Sequence, residues 1–150
     1  MSEMSIKRYV YRKGAAKKVP VSGTFELTPR CNFNCKMCYI HLTEEEQRKK
    51  GEELTAAQWI NIGKEATDQG MLYLLLTGGE PTLRPDFCEI YTELVKMGLF
   101  VSINTNASLV NSKILDCFIK YKPEKINITL YGSRHIKICV VLLKDLRILF

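Results

Sequence analysis

From residue 23 onward the chain alternates two apolar patterns. Residues 23–28 (GTFELT) place Phe25 and Leu27 two apart between polar neighbours, the period of a strand. Residues 71–76 (MLYLLL), 99–103 (LFVSI) and 126–130 (INITL) are short and mostly apolar, as suits parallel strands buried on both faces. Between these runs the period becomes helical. Thr55 and Gln58 form a capping-box pair ahead of Trp59, Ile60, Gly63 and Ala66, with Gly70 as the stop. Asp86 stands where it can cap a helix carrying Phe87, Ile90, Tyr91 and Leu94, closed by Gly98. Asn111 or Ser112 opens a third helix, which buries Ile114, Leu115, Phe118 and Ile119 and stops before Pro123. A short extra helix is expected over 44–50, with Thr43 and Glu46 as a second capping box and Arg48, Lys49 and Lys50 at its negative end. Its charges read as a solvated surface.

Strand, loop and helix thus repeat, at about the 30-residue length of a βαβ unit. The fold class is α/β: about four parallel strands with three to four helices, forming a curved sheet or part of a barrel. Right-handed crossovers put functional loops at the C-terminal ends of the strands.

Composition narrows the classes. The 150 residues are 46% hydrophobic and 25% charged, which excludes a disordered chain. No apolar run nears the ~18 residues that span a membrane. The longest near the C-terminus, residues 138–143, is closed by Lys144 and Asp145. The basic start (MSEMSIKRYVYRKGAAKKVP) has no apolar region of a secretory signal, so a cytoplasmic location is expected. There the six cysteines serve as thiols, metal ligands or core residues. The net charge of +6 owes much to Lys7, Arg8, Arg12, Lys13, Lys17 and Lys18. Without aromatic stacking platforms or a recognition helix, nucleic acid is not the expected partner, and neither is a membrane.

Two motifs carry chemistry, both at strand ends. After the first strand, TPRCNFNCKMCY spaces Cys31, Cys35 and Cys38 as C-x3-C-x2-C. Three thiolates this close can converge on one metal centre. A [4Fe–4S] cluster normally takes four, so three leave one iron open to an exogenous ligand. Zinc is the competing reading, as a Cys3His site with His41. Unligated cysteines are the third, against which the polar neighbours Asn32, Asn34 and Lys36 argue. The second strand ends in Thr77-Gly78-Gly79-Glu80-Pro81. Paired glycines allow close backbone approach to a ligand or a positive φ, Glu80 offers a carboxylate to a cation, and Pro81 stiffens the turn.

The cysteine loop followed one βα unit later by TGGEP resembles the radical S-adenosylmethionine (radical SAM) superfamily. The resemblance covers roughly residues 23–132 and implies a partial (β/α)6 barrel. It implies that Cys31, Cys35 and Cys38 hold a [4Fe–4S] cluster whose fourth iron binds the amino and carboxylate groups of S-adenosylmethionine. Tyr39 would lie against the adenine, and Gly78, Gly79, Glu80 and Pro81 would form the motif that meets the methionyl amino group. Residues 102–106 (SINTN) resemble the family's "TNG"-type segment, with Ala107 where glycine is common. Asn104 and Asn106 there serve ribose or substrate, or form Asx-turns. Residues 127–132 (NITLYG) resemble a stretch near S-adenosylmethionine, in which Thr129 keeps a hydroxyl and Tyr131 replaces an acid. Cys88 and Cys117 read as small core hydrophobes and Cys139 lies in an apolar run, without second-cluster spacing.

The implied activity is reductive cleavage of S-adenosylmethionine to a 5′-deoxyadenosyl radical that abstracts hydrogen from a substrate. The overall look is of the peptide- or protein-modifying subgroup that often carries a SPASM domain. A low-potential electron donor is implied, and no residue is assigned as catalytic. The expected organisation is a basic leader (1–22), a partial core (23–132) and an atypical tail (133–150), such as a truncation or frameshift leaves. A zinc-binding, nucleic-acid-interacting module and a non-catalytic cluster-binding fragment remain the alternatives.

Overall fold

A computed structural model describes residues 5–40, 42, 44–49 and 51–129. Four strands, β1 (Ser22–Glu26), β2 (Tyr73–Thr77), β3 (Phe100–Thr105) and β4 (Lys125–Ile128), form one parallel sheet in the order β1-β2-β3-β4. Helices α2 (Glu44–Lys49) and α3 (Ala56–Asp68) join β1 to β2. A 3-10 turn (Pro81–Leu83) and α4 (Phe87–Lys96) join β2 to β3, and α5 (Ser112–Lys120) joins β3 to β4. Each expected strand and helix within the described residues is present, with ends shifted by no more than three residues.

The capping signals act as read, with one exception, while Ile119, expected in the core, is 62% exposed at the end of α5. Thr55 Oγ1 accepts from the Gln58 amide and Gln58 caps back, so the box at α3 is complete. Asn111 Oδ1 accepts from the Ile114 amide at 3.1 Å and starts α5. Asp86 occupies the cap position of α4 but makes no side-chain cap bond. Its carboxylate is held by both Nε and Nη2 of Arg84 instead, at 2.9 and 2.7 Å, because a bidentate ion pair outcompetes a single amide. Thr43, Lys50, Tyr131, Cys139 and the tail lie outside the described residues.

The strands are not covered equally on both faces. Phe25, Leu74, Leu76, Val101 and Ile103 form one face and pack with Tyr91 and Leu94 of α4, Ile114 and Phe118 of α5, and Trp59, Ile62 and Ala66 of α3. The opposite face carries polar pairs: Glu26 lies across from Thr77, and Asn104 from Asn127, whose Nδ2 donates to Asn104 Oδ1 at 2.8 Å. Apolar runs in β2 and β3 concealed this because Leu75, Tyr73 and Phe100 also fall on the polar side.

One element was not foreseen. The basic segment read as a leader forms α1 (Ile6–Lys17), with Ser5 as its cap and Lys18 in the left-handed region at φ 57°. Tyr11 stacks on Tyr73 at 5.6 Å between centroids, Tyr73 stacks on Phe100 at 5.3 Å, and the Lys7 ammonium sits 4.3 Å from the Tyr73 ring centre. Interspersed basic residues hid the helix from a periodicity argument. Among the described residues no helix is long and apolar enough to cross a membrane.

Tyr91 ties the helical layer together. Its ring lies edge-on to Phe118 at 5.3 Å, and its hydroxyl donates to the Tyr121 carbonyl at 2.5 Å. Burial pushes its phenol well above the ordinary value. Tyr91→Phe is expected to cost about 1 kcal/mol by orphaning that carbonyl. Tyr91→Ala should cost about 3–5 kcal/mol, the range for losing a buried aromatic ring. Urea denaturation of the two variants checks both.

Candidate functional site

β1 delivers Leu27 and Thr28 into the interior, each 1% exposed, and the chain then turns outward into the cysteine loop. Cys31 and Cys35 are half-buried and Cys38 is exposed. The Cys38 amide donates to the Cys35 carbonyl at 3.0 Å, which closes a tight turn between the second and third cysteines. The Phe33 amide donates to Cys31 Sγ at 3.4 Å. Burial pushes the Cys31 thiol up, the Phe33 amide opposes this, and the charge of nearby Glu80 adds to it.

One cavity of about 220 Å³ gathers the ends of all four strands. Its walls are Cys31, Cys35, Cys38 and Tyr39 after β1, Thr77, Gly78 and Gly79 after β2, Asn104 to Asn106 at the end of β3, and Thr129 after β4. Phe33, Met37 and Ile40 also line it, and no motif had marked them. A larger cavity of about 590 Å³ opens beside the loop, lined among others by Glu26, Tyr39, Leu42 and Glu52. It contains none of the cysteines, so the candidate metal ligands belong to the smaller one.

The glycines prove to be as much about the loop as about a ligand. The Gly79 amide donates to the Thr28 carbonyl at 2.7 Å and the Glu80 amide to the Arg30 carbonyl at 2.8 Å. A Cβ on Gly79 would lie 2.2 Å from the Arg30 carbonyl oxygen, and one on Gly78 2.4 Å from that of Thr28. Gly78 also has φ +126°, which side chains rarely adopt. The cysteine loop therefore rests directly on the backbone of the glycine turn.

Glu80 departs from the expectation of a carboxylate offered to the site. It is 0% exposed and does not line the cavity. One oxygen accepts from the Thr82 amide, the Thr82 hydroxyl and the Thr105 hydroxyl at 3.0, 2.5 and 2.8 Å. The other accepts from the Asn106 amide at 2.7 Å. A buried carboxylate must be satisfied by donors, and here it joins the end of β2 to the end of β3. Pro81 is likewise buried, as the first residue of the 3-10 turn. Asn106 does face the loop: its Nδ2 donates to Asn32 Oδ1 at 2.9 Å and lies 3.8 Å from Cys31 Sγ, while its Oδ1 accepts from the Ser108 amide and hydroxyl. That is an Asx-turn and a cavity wall at once. Tyr39 is 85% exposed on the rim.

Behind the loop lies a charge network that no motif announced. Burial alone would raise the Glu53 carboxyl, but hydrogen bonds from Arg30 and Thr28 and the charges of Arg30 and Arg84 outweigh it and hold it below the usual carboxylate range. Asp86 is held low by the Arg84 hydrogen bonds against an opposing burial effect.

Among the described residues no three His, Cys, Asp or Glu side chains surround a single metal ion. A Cys3His zinc site thus finds no support there, and His41 lies outside those residues. A cubane cluster asks something different, since each thiolate binds its own iron at a separate corner. Three cysteines lining one cavity fit that donor set.

Comparison with known proteins settles the family. Residues 25–144 match the radical SAM superfamily. The chain belongs to the radical SAM superfamily. Members of this superfamily use a [4Fe–4S] cluster and S-adenosylmethionine. The chain is 37% identical over 87 residues to a PqqA peptide cyclase of Methylorubrum extorquens, covering 58% of this chain and 22% of that protein. It is 30% identical over 115 residues to one of Rhodopseudomonas palustris, covering 77% and 30%. The chain therefore spans between a fifth and a third of these relatives' length. Among solved structures it is similar to Streptococcus suis SuiB bound to S-adenosylmethionine, at a TM-score of 0.72, 20% identity, 97% of this chain and 39% of that one. SuiB bound to its precursor peptide SuiA gives a TM-score of 0.70 at the same identity and coverage. These two show the radical SAM fold, of which the four strands here are a part.

Two outcomes follow from the geometry. Gly79→Ala should release the cysteine loop, because the crowding atoms are backbone and cannot yield. Gly98→Ala, at φ +90° with nothing near its Cβ, should cost about 1–2 kcal/mol and leave the loop alone. Amide exchange across residues 30–38 distinguishes them. Because Glu53 and Asp86 have lowered values when folded, their contribution is present above their unfolded values near pH 4 and is lost as pH falls through the folded ones. Urea midpoints should hold from pH 7 to about 5 and fall below about 4, and less steeply in Glu53→Gln.

Proposed function

We propose that this chain carries the cluster-binding part of a radical SAM enzyme acting on a peptide. The observation that carries the reading is the single cavity into which four strand ends bring three cysteines, the glycine turn, Asn104, Asn106 and Thr129. Cys31, Cys35 and Cys38 hold the cluster, giving up their protons as they bind iron. When bound there, the cluster and S-adenosylmethionine would together supply one-electron reductive chemistry, with the electron coming from a low-potential donor.

The chain's own residues bind and orient. The methionyl ammonium can only donate, and the Gly79 and Glu80 amides are already committed to the loop. The Thr77 carbonyl already accepts from the Leu27 amide at 3.0 Å, so the turn meets the ammonium with the carbonyl oxygens of Gly78 and Gly79. Glu80 and Pro81 serve from beneath: the buried carboxylate fixes the turn and the Asn106 amide, and its charge favours a cation above it. Asn104 and Thr129 supply polar groups towards the ribose side, and Tyr39 covers the rim. A peptide substrate is supported by the relatives named PqqA peptide cyclase and by the SuiB structure with a precursor peptide. The remaining partner is a low-potential electron donor, and free thiols on all five described cysteines suit the reducing cytoplasm. The core unit begins near residue 23 and includes all of these residues.

Anaerobic reconstitution with iron and sulfide should give about four irons per chain. Cys31→Ala, Cys35→Ala and Cys38→Ala should each abolish the cluster, whereas Cys88→Ala should keep it. S-adenosylmethionine should alter the electron paramagnetic resonance spectrum of the reduced cluster. Stoichiometric zinc in protein purified without oxygen would overturn the assignment.

A further inference from the structure

We infer that Glu53 is the positioning residue for Cys31. The geometry stands by itself, and its meaning for a cluster rests on the reading above. Arg30, the residue before Cys31, is held at its amide, its carbonyl and its guanidinium. Its amide donates to Thr28 Oγ1 at 3.1 Å and its carbonyl accepts from the Glu80 amide at 2.8 Å. Its side chain grips Glu53 in two places, Nε to Oε1 at 2.8 Å and Nη2 to Oε2 at 2.9 Å. Thr28 Oγ1 in turn donates to Glu53 Oε1 at 2.5 Å. The Arg30 amide, the Thr28 hydroxyl and the Glu53 carboxylate thus form a relay, and two of the three restraints on Arg30 end on Glu53.

Glu53 itself has a fixed seat. Arg84, with its side chain 5% exposed, donates to Glu53 Oε2 at 3.3 Å. Arg84 also donates to both oxygens of Asp86 and to the carbonyls of Leu27 and Leu54. Removing the Glu53 carboxylate leaves those four bonds in place, so the scaffold keeps its shape. What is lost is the outer anchor of Arg30 and the acceptor for Thr28. Side chains that orient metal ligands from behind influence metal retention strongly without touching the metal.

The test compares Glu53→Ala and Glu53→Gln with Glu52→Ala, the exposed neighbour, in two measurements. The first is amide exchange of the metal-free chain. Glu53→Ala should speed exchange of the Arg30 amide about tenfold or more, with the amides of α4 and α5 unchanged. The second is iron loss from the reconstituted protein to a chelator, which should quicken about 10–100-fold. Glu53→Gln keeps one acceptor oxygen and should fall between, and Glu52→Ala should match the parent. Unchanged Arg30 exchange in Glu53→Ala overturns the inference, as does raised exchange with unchanged iron loss. If Glu53→Ala also loses protection in α4, Glu53→Gln decides by the same two measurements. A parent chain that takes up no iron sinks the cluster reading alone. The exchange result then supports or overturns the placement of the loop by Glu53.

Discussion

Two backbone hydrogen bonds, from Gly79 to Thr28 and from Glu80 to Arg30, set where everything else must lie. They join the turn after β2 to the loop after β1 at a separation that excludes a Cβ on either glycine. The cysteines can line a cavity at the strand ends only because their loop is pressed onto this turn. The glycine pair is then explained by main chain against main chain. In the proposed reading the same pairing leaves the carbonyl side of the turn for a ligand, so one feature would serve both packing and recognition.

The second constraint is buried charge. Glu80 has no exposed surface, and its four donors are the neutral amides and hydroxyls of Thr82, Thr105 and Asn106. A buried carboxyl group is tolerated there because both of its oxygens meet donors, three on one and one on the other. Arg84 solves the converse problem, with all of its donors directed to carboxylates and carbonyls. One network locks β2 to β3 and the other locks β1 to the segment before α3 and to the start of α4. Between them the strand ends form a rigid rim around the cavity.

Much of this was legible in the sequence, for a physical reason. Strand spacing, the Thr55–Gln58 box, the Asn111 cap, C-x3-C-x2-C and TGGEP are local patterns, each decided by residues within a few positions of one another. What escaped was tertiary. Glu53 and Arg30 are 23 residues apart, and nothing in the local pattern pairs them. Glu80 reads as a free carboxylate until Thr105 and Asn106 arrive from the next strand. Asp86 reads as a cap from spacing alone, because spacing does not weigh its competitor Arg84. Helix α1 was missed because its support is a stack on Tyr73 and Phe100, more than sixty positions away.

The form of these restraints bears on how the fold persists when sequence does not. The clamp of the loop is main chain to main chain, and such bonds are indifferent to the side chains between them. Side-chain identity matters at few kinds of place: where backbones approach too closely for a Cβ, as at Gly78 and Gly79, and where a charge is buried, as at Glu80 and Arg84. Elsewhere apolar volume and polarity suffice, since core positions tolerate exchange when volume and pattern are kept. A chain 20% identical to SuiB can therefore superpose on it with a TM-score of 0.70–0.72. The shared likeness lies in the path of the backbone. The identities that chemistry demands are concentrated in the short loops where parallel strands all end on the same side.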